Sequence, residues 1–195
     1  MNNLTPFGQL NMALQGRVRV HDTDTGKLLL DSKNAIHSQN MALVVARALS
    51  RDDNGYVFKL VFGNGGTFYN TSNVLIYKTP NTIGSSASLY NQTYAVQVDE
   101  ISAGTPVTNS VTSMASPAPA LTSLVIVTAQ LSATEPLGQA LADNVTTDPE
   151  APFIFDELGL MSSDGLLLSH LVFNPIEKTA NRAWLITYTV TISAS

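Results

Sequence analysis

The clearest pattern in the chain lies near its C-terminal end, where apolar and polar residues alternate. One face of AWLITYTVTIS (183–193) carries Trp184, Ile186, Tyr188, Val190 and Ile192. The opposite face carries mainly threonine. Strict alternation is typical of a half-buried β-strand. We therefore predict a strand whose first face packs in the core and whose threonine face contacts water or a neighbouring subunit.

Shorter β-patterns occupy much of the remaining chain. GRVRVHDTDTGKLLLDS (16–32) alternates, turns at residues 24–26 and continues in an apolar run, which predicts a hairpin. FDELGLMSSDGLLLSHLVFNP (155–175) predicts a second hairpin, with Gly165 in the turn and Pro175 ending the returning strand because proline cannot donate to the ladder. Further strands are predicted at 56–66, 74–78, 93–101 and 121–133.

One segment has the spacing of a helix. Within residues 37–55, an apolar stripe is formed by Met41, Val44, Val45, Ala48 and Leu49. Ser38 or Asn40 is expected to cap its start, and residues 52–55 are expected to end it. The stripe predicts a helix at about 38–51 that packs onto a sheet.

Many strands and one helix predict a mainly β fold, with a β-sandwich-like domain of antiparallel strands and the helix packed on it. We assign residues 16–195 to a single domain and residues 1–15 to an N-terminal tail or arm. Residues 102–120, rich in Ser, Thr and Pro, predict a long loop, and 138–152 predict another. We expect the first loop or the tail to reach onto a neighbouring subunit.

Composition narrows the classes of function. Only 13% of the 195 residues are charged, about half of ordinary usage, and hydroxyl and amide side chains supply the polarity instead. Low charge favours an assembly protein, because charge is depleted at interface cores. With a net charge of −5 and no basic run, the chain is not expected to bind nucleic acid. No apolar run is long enough for a membrane span.

Residue types and the N-terminal sequence add two further expectations. The chain has no cysteine, which excludes disulfides and thiol chemistry. The N-terminal MNNLTPFGQL lacks a basic stretch followed by an apolar core, so no signal peptide is recognised and folding in a cytoplasm is expected.

Two short motifs suggest ligands but fit turns better. Asp22, Asp24 and Gly26 resemble the opening of a calcium loop, yet the glycine comes one residue early and no late glutamate follows. Residues 63–66, Gly-Asn-Gly-Gly, lack the lysine of a phosphate-binding loop. We interpret the first as a plain turn and the second as a sharp turn that needs positive φ.

Asp156, Glu157 and His170 are the side chains that most suggest catalysis. Consecutive residues of a strand face opposite sides, so the two carboxylates are not expected to form a catalytic pair. We interpret His170 as partly buried or at an interface. Lys178 and Arg182 are expected to pair with Glu177, Asp156 or Glu157, or to act across a subunit interface. We predict no catalytic, cofactor-binding or metal-ligating residues, and Asp156, Glu157, His170, Lys178 and Arg182 are the interface candidates.

Several stretches resemble virion structural proteins of tailed bacteriophages. They are GRVRVHDTDTGKLLLDSKNAIHSQN (16–40), LVFGNGGT (60–67), PNTIGSSASLYNQTY (80–94) and the segment from FDELGL to YTVTIS (155–193). The resemblance implies a β-rich, non-enzymatic subunit made in the host cytoplasm and located on the virion. Its partners would be copies of itself and other capsid, neck or tail proteins. Capsid decoration, neck or collar, and tail accessory positions all remain open.

Two alternatives to a structural subunit remain. A carbohydrate- or receptor-binding module of a tail fibre or spike would use aromatic side chains near loops, for which Tyr69, Tyr77, Tyr90 and Tyr94 are the candidates. The competing interpretation is that these rings pack beneath the loops. A phage glycosidase or peptidase is the other alternative, although no nucleophile motif supports it.

Overall fold

The computed structural model describes residues 11–52, 54–98, 109–117, 121–138 and 153–194. Within these ranges the chain forms eleven strands and one helix. They are β1 (Met12–Asp22), β2 (Leu28–Ile36), α1 (Ser38–Ser50), β3 (Val57–Gly63), β4 (Thr67–Tyr69), β5 (Leu75–Tyr77), β6 (Gln92–Gln97), β7 (Ser110–Ala115), β8 (Thr122–Leu131), β9 (Ile154–Ser162), β10 (Leu167–Glu177) and β11 (Trp184–Ala194). The predicted mainly β fold with one helix is confirmed.

Nine of the strands form one antiparallel, curled sheet. Its order is β6-β3-β9-β10-β2-β1-β11-β8-β7, and β4 and β5 form a separate two-stranded hairpin. Strands β2 and β10 share only the pairs Ser169–Ile36 and His170–Ala35, so the sheet divides there into two halves. The curl brings β6 beside β8, and the apolar faces of the two halves enclose the core in a sandwich-like arrangement.

Strand β11 confirms the alternation seen in the sequence. Trp184, Ile186, Tyr188 and Val190 are buried, whereas the threonines between them are partly exposed. Trp184 meets Phe155 of β9 edge to face, with ring centroids 6.1 Å apart, which joins the two halves of the sheet. Burying an aromatic or large aliphatic side chain contributes about 1.5–3 kcal/mol.

Helix α1 lies near its predicted position, but its cap and its stripe differ from the prediction. The N-cap is His37, whose Nδ1 accepts a hydrogen bond from the backbone N–H of Asn40 at 3.2 Å. The helix ends at Ser50, and the C-cap residue Arg51 adopts a left-handed conformation with φ of 60°. Met41 and Val44 are buried, but Leu49 is 82% exposed, so the C-terminal turn extends beyond the core.

Three predicted boundaries also differ. Strand β1 begins at Met12, inside the predicted tail 1–15, and residues 110–115 of the predicted 102–120 loop form β7. Their ladder to β8 uses backbone groups and needs no large side chains. Pro175 lies within β10 rather than after it, because a register shift between Val172 and Ile176 leaves it outside the ladder. Residues 1–10, 53, 99–108, 118–120, 139–152 and 195 lie outside the described residues, and with them the end of the strand predicted at 93–101.

Candidate functional site

A cluster of ionisable side chains is buried where β9 and β10 pair. Asp156, Glu157 and His170 are each 0% exposed. Two loops cover them, which we call the glycine loop (residues 63–67) and the cover loop (residues 79–91). These loops bring backbone N–H groups to the cluster, and they explain why β9 is buried on both faces.

Asp156 holds the C-terminal end of the glycine loop. Its Oδ1 accepts from the N–H of Gly66 at 2.8 Å. Its Oδ2 accepts from the N–H and the hydroxyl of Thr67 at 2.7 and 2.5 Å. Burial raises the pKa of this carboxyl, although the hydrogen bonds from Thr67 and Gly66 oppose the change.

Glu157 holds both loops at once. Its Oε1 accepts from the N–H groups of Asn91 and Gly65 at 2.7 and 3.2 Å. Its Oε2 accepts from Tyr90 N–H and from His170 Nε2, both at 2.9 Å. Burial alone would raise the pKa of Glu157, but the hydrogen bonds from His170, Asn91 and Tyr90 outweigh it and lower the pKa.

Two histidines attach the cover loop to the domain. His170 Nδ1 accepts from the N–H of Asn81 at 2.8 Å, so Nε2 carries the ring proton that is donated to Glu157. His37 Nδ1 accepts from Asn40, so its Nε2 donates to the carbonyl of Gly84 at 2.9 Å. The cover loop is thereby fixed to α1 and to β10.

The glycines of the glycine loop let the backbone pack closely against Asn91 and Glu157; they are not needed for a positive φ. The expected positive φ is not found at Gly63, Gly65 or Gly66, so that prediction is wrong. A Cβ on Gly63 would lie 2.3 Å from the carbonyl oxygen of Asn91 and 2.5 Å from Glu157 Oε1. A Cβ on Gly65 would lie 2.7 Å from Asn91 N. Only glycine lets these strands and loops meet over the carboxylates.

Burial changes the interpretation of the predicted interface residues. Asp156, Glu157, His170 and Lys178 are fully buried inside the chain, so a partner cannot contact them while this fold persists. The two carboxylates bond different backbone groups, as their opposite directions predict, yet both reach the glycine loop. Their oxygens accept from donors of the chain itself, which is the arrangement of a structural anchor.

Lys178 and Arg182 lie away from that cluster. Burial lowers the pKa of Lys178 to about 8, although the nearby carboxylates of Glu135, Asp22 and Asp24 oppose the change. Its Nζ donates to the carbonyl of Thr179 at 3.2 Å. Arg182 is half exposed, and its Nη1 lies 3.9 Å from Asp22 Oδ2 rather than beside the acidic partners predicted for it.

The Asp22 motif forms a turn. Asp22 Oδ1 accepts from the N–H groups of Asp24 and Thr25 at 3.0 and 2.9 Å, and Gly26 has a φ of 68°. These bonds complete the turn with the chain's own donors. Across the described ranges, no group of three or more acidic or histidine side chains is placed to hold a metal ion.

The exposed features lie elsewhere on the surface. Tyr69 and Tyr77 of the β4–β5 hairpin and Tyr90 of the cover loop are between 43% and 51% exposed, whereas Tyr94 is partly buried. Edge strand β7 exposes Met114 by 56%. In the part of the chain that the structure describes, no helix combines the length and apolar character needed to cross a membrane.

No family model, curated protein sequence or solved structure matches this chain. The loop residues that donate to the cluster were not recognised in the sequence: Thr67, Tyr90 and Asn91 donate to the carboxylates, and Asn81 donates to His170. They bond mainly through backbone N–H groups, which carry no residue-type signal, and the glycine run was the one visible sign of a close approach.

Proposed function

We propose that this chain is a non-enzymatic structural subunit of a tailed-phage virion that assembles in symmetric copies through the edge strand β7. The virion assignment rests on the resemblance of residues 16–40, 60–67, 80–94 and 155–193 to virion proteins of tailed phages. The assembly assignment rests on the surface of the fold. The observation that carries it is an uncharged edge strand.

Strand β7 itself carries none of the charges, prolines or bulges that keep a sheet edge from pairing. Its sequence, Ser-Val-Thr-Ser-Met-Ala, contains no charge and no proline. Among the described strands, β8 alone pairs with it, and five of its six residues are exposed. Unprotected edges of this kind pair readily with another strand, whereas lysine, proline or a bulge prevents pairing.

A second copy of the same strand is the partner that β7 fits. Opposite residues in an antiparallel pair share a face, so a two-fold axis at Ser113 places this residue opposite itself. The same register pairs Val111 with Ala115 and Thr112 with Met114. No like charges meet in this pair. Two-fold dimers are the commonest symmetric assembly, and pairing β7 with its copy removes the open β7 edge of each subunit.

The buried cluster supports the non-enzymatic part of the proposal. Asp156 and Glu157 are inaccessible, and the hydrogen bonds they accept come from backbone groups, Thr67 and His170. Such an arrangement stabilises loops. A general acid or base needs to reach the proton of a substrate.

The molar mass of the purified protein in solution tests the assembly. At about 50–100 µM, where weak complexes form, we expect wild type to be a dimer or larger. Met114→Lys should weaken this association at least about tenfold. Leu49→Lys is the matched control, because it places lysine at an equally apolar exposed position on α1. A monomeric wild type, or Met114→Lys with unchanged mass, contradicts the proposal.

Virion membership needs its own experiment. Immunodetection on gradient-purified particles of the phage that encodes the chain should find it at a fixed copy number per particle. Its absence from the particles contradicts the virion assignment, even if the isolated chain dimerises.

A carbohydrate- or receptor-binding module is the second candidate function. The half-exposed rings of Tyr69 and Tyr77 favour it, since the competing interpretation had these rings packed beneath loops. Tyr90 fits the competing interpretation, because its ring packs against His170 and Lys78. The β4–β5 register puts Tyr69 and Tyr77 on one face of the hairpin. A glycan array with wild type and Tyr69→Ala tests this function: saturable binding lost in the variant supports it, and no bound glycan rejects it.

A further inference from the structure

We propose that the outer face of β1 and β11 holds a binding site for a small oxyanion, formed by Arg17 and Arg19 with Thr187, Thr189 and Thr191. These five residues line a groove of about 180 Å³. They do not belong to the buried cluster, to β7 or to the aromatic hairpin.

Strand register brings the five side chains together. Arg17 lies opposite Thr189, and Arg19 lies opposite Thr187. Residues two apart on a strand share a face and are separated by about 6.8 Å, and neighbouring strands lie about 4.8 Å apart. The two arginines of β1 and the three threonines of β11 therefore lie side by side on the same face of the sheet.

Asp31 orients the two arginines from the far side. Arg17 donates to its carboxylate through Nε at 2.5 Å and Nη2 at 2.7 Å, and Arg19 Nε lies 3.4 Å from Oδ2. Within the described residues, Nη1 of Arg17 and both Nη groups of Arg19 have no protein acceptor. The bridge fixes the position of one guanidinium and leaves donors for a ligand, which is the preorganisation that anion sites use.

The charge near the groove selects the sign of the ligand. Lys33 lies opposite Arg17 on β2, so the described residues of β1 and β2 on this face include three cations and one anion, Asp31. The neighbourhood is positive although the whole chain has a net charge of −5. Arginine presents only donors, and the threonine hydroxyls can donate as well.

The volume selects the size of the ligand. Pockets for drug-sized molecules measure about 300–1,000 Å³, so a groove of 180 Å³ suits one sulfate, phosphate or carboxylate group. That group is either a free ion or the end of an acidic side chain. The shared chemistry is an oxyanion that accepts from guanidinium and hydroxyl donors.

Titration followed by two-dimensional NMR tests this site on the full chain. Sodium sulfate and sodium acetate are each added at constant ionic strength against sodium chloride. We expect saturable shifts of the backbone amides of Thr187, Thr189 and Thr191. Saturation by sulfate alone supports a free tetrahedral ion, and comparable saturation by acetate supports an acidic side chain.

Matched variants separate a site from general attraction to cations. Arg19→Gln should weaken binding at least tenfold, and Thr189→Val should weaken it severalfold while preserving the fold. Arg51→Gln removes an equal charge at the end of α1 and should bind as wild type does. Shifts that never saturate in either salt, or equal affinity of Arg19→Gln and wild type, overturn the proposal.

Discussion

Replacing Glu157 with glutamine tests the role assigned to the buried cluster. Glutamine has nearly the same shape, but it exchanges one carboxylate oxygen for an NH₂ group. If its oxygen keeps the N–H groups of Asn91 and Gly65, its NH₂ faces the Tyr90 N–H and the His170 Nε2 proton. The N–H of Tyr90 and the Nε2–H of His170 then face the glutamine NH₂ group, and both buried donors lose their acceptor.

The expected cost follows from those two lost acceptors. A buried donor left without a partner costs about 1–3 kcal/mol, so the variant should lose about 2–6 kcal/mol of unfolding free energy. For a chain of this length, each kcal/mol shifts Tm by about 2–4 °C. A fall of about 8–16 °C is therefore expected for a mid-range loss of about 4 kcal/mol.

The pH dependence gives an independent readout of the same group. Because the folded pKa of Glu157 lies below its unfolded value, its contribution is fully present above about pH 4.3. It is lost as the pH falls through the folded pKa, because the unfolded state takes up the proton first. The difference between wild type and variant should therefore narrow below about pH 4.

Urea unfolding at pH 7, 5 and 3.5 measures both effects. Asp24→Asn is the control, because this carboxylate is exposed on a turn and its loss should change stability by less than about 0.5 kcal/mol. If Glu157→Gln at pH 7 costs less than about 1 kcal/mol, the anchoring role is refuted.

Three other perturbations test separate features of the fold. Asp156→Asn should destabilise the fold less than Glu157→Gln at pH 7 in the same urea assay. Burial raises the pKa of Asp156, so its charged form is already disfavoured in the folded state. An equal or larger loss of stability would contradict this expectation. Lys178 has a folded pKa of about 8, so the unfolded state binds more protons above that pH, and stability should rise by about 2 kcal/mol from pH 8 to 10. Lys178→Met should abolish that rise in urea midpoints, and an unchanged slope would reject the assignment. Gly165 has a φ of 86° in open space, so Gly165→Ala should cost about 1–2 kcal/mol through backbone strain, with Gly165→Asn nearer to wild type by thermal unfolding.

Periodic segments were predictable because their pattern reports directly on burial. The alternation of β11 indicated which face is core, and the Asp-Gly turn indicated the β9–β10 hairpin. The stripe of α1 was predicted too far toward its C-terminal end, since spacing alone does not say where the sheet beneath a helix stops. Strand β7 was missed because small polar residues join a ladder through backbone groups that the sequence does not distinguish.

The cluster shows the same limit at the level of chemistry. The sequence predicted that Asp156 and Glu157 point in opposite directions, and they bond different N–H groups. It did not predict that both carboxylates are buried, because the loops that cover them lie about 66 to 92 positions away in the chain. An interface role was inferred for residues that the fold makes inaccessible.

The sequence by itself determined the β-rich class, the main hairpins and the core face of the last strand, since these follow from local alternation and turn chemistry. Tertiary structure alone decided which polar residues are buried, which strand is left at the edge, and which arginines and threonines share a groove. Those outcomes depend on strand order and register between distant segments. Local patterning determines which face of a strand a side chain lies on, whereas strand order and register determine which residues of distant segments it contacts.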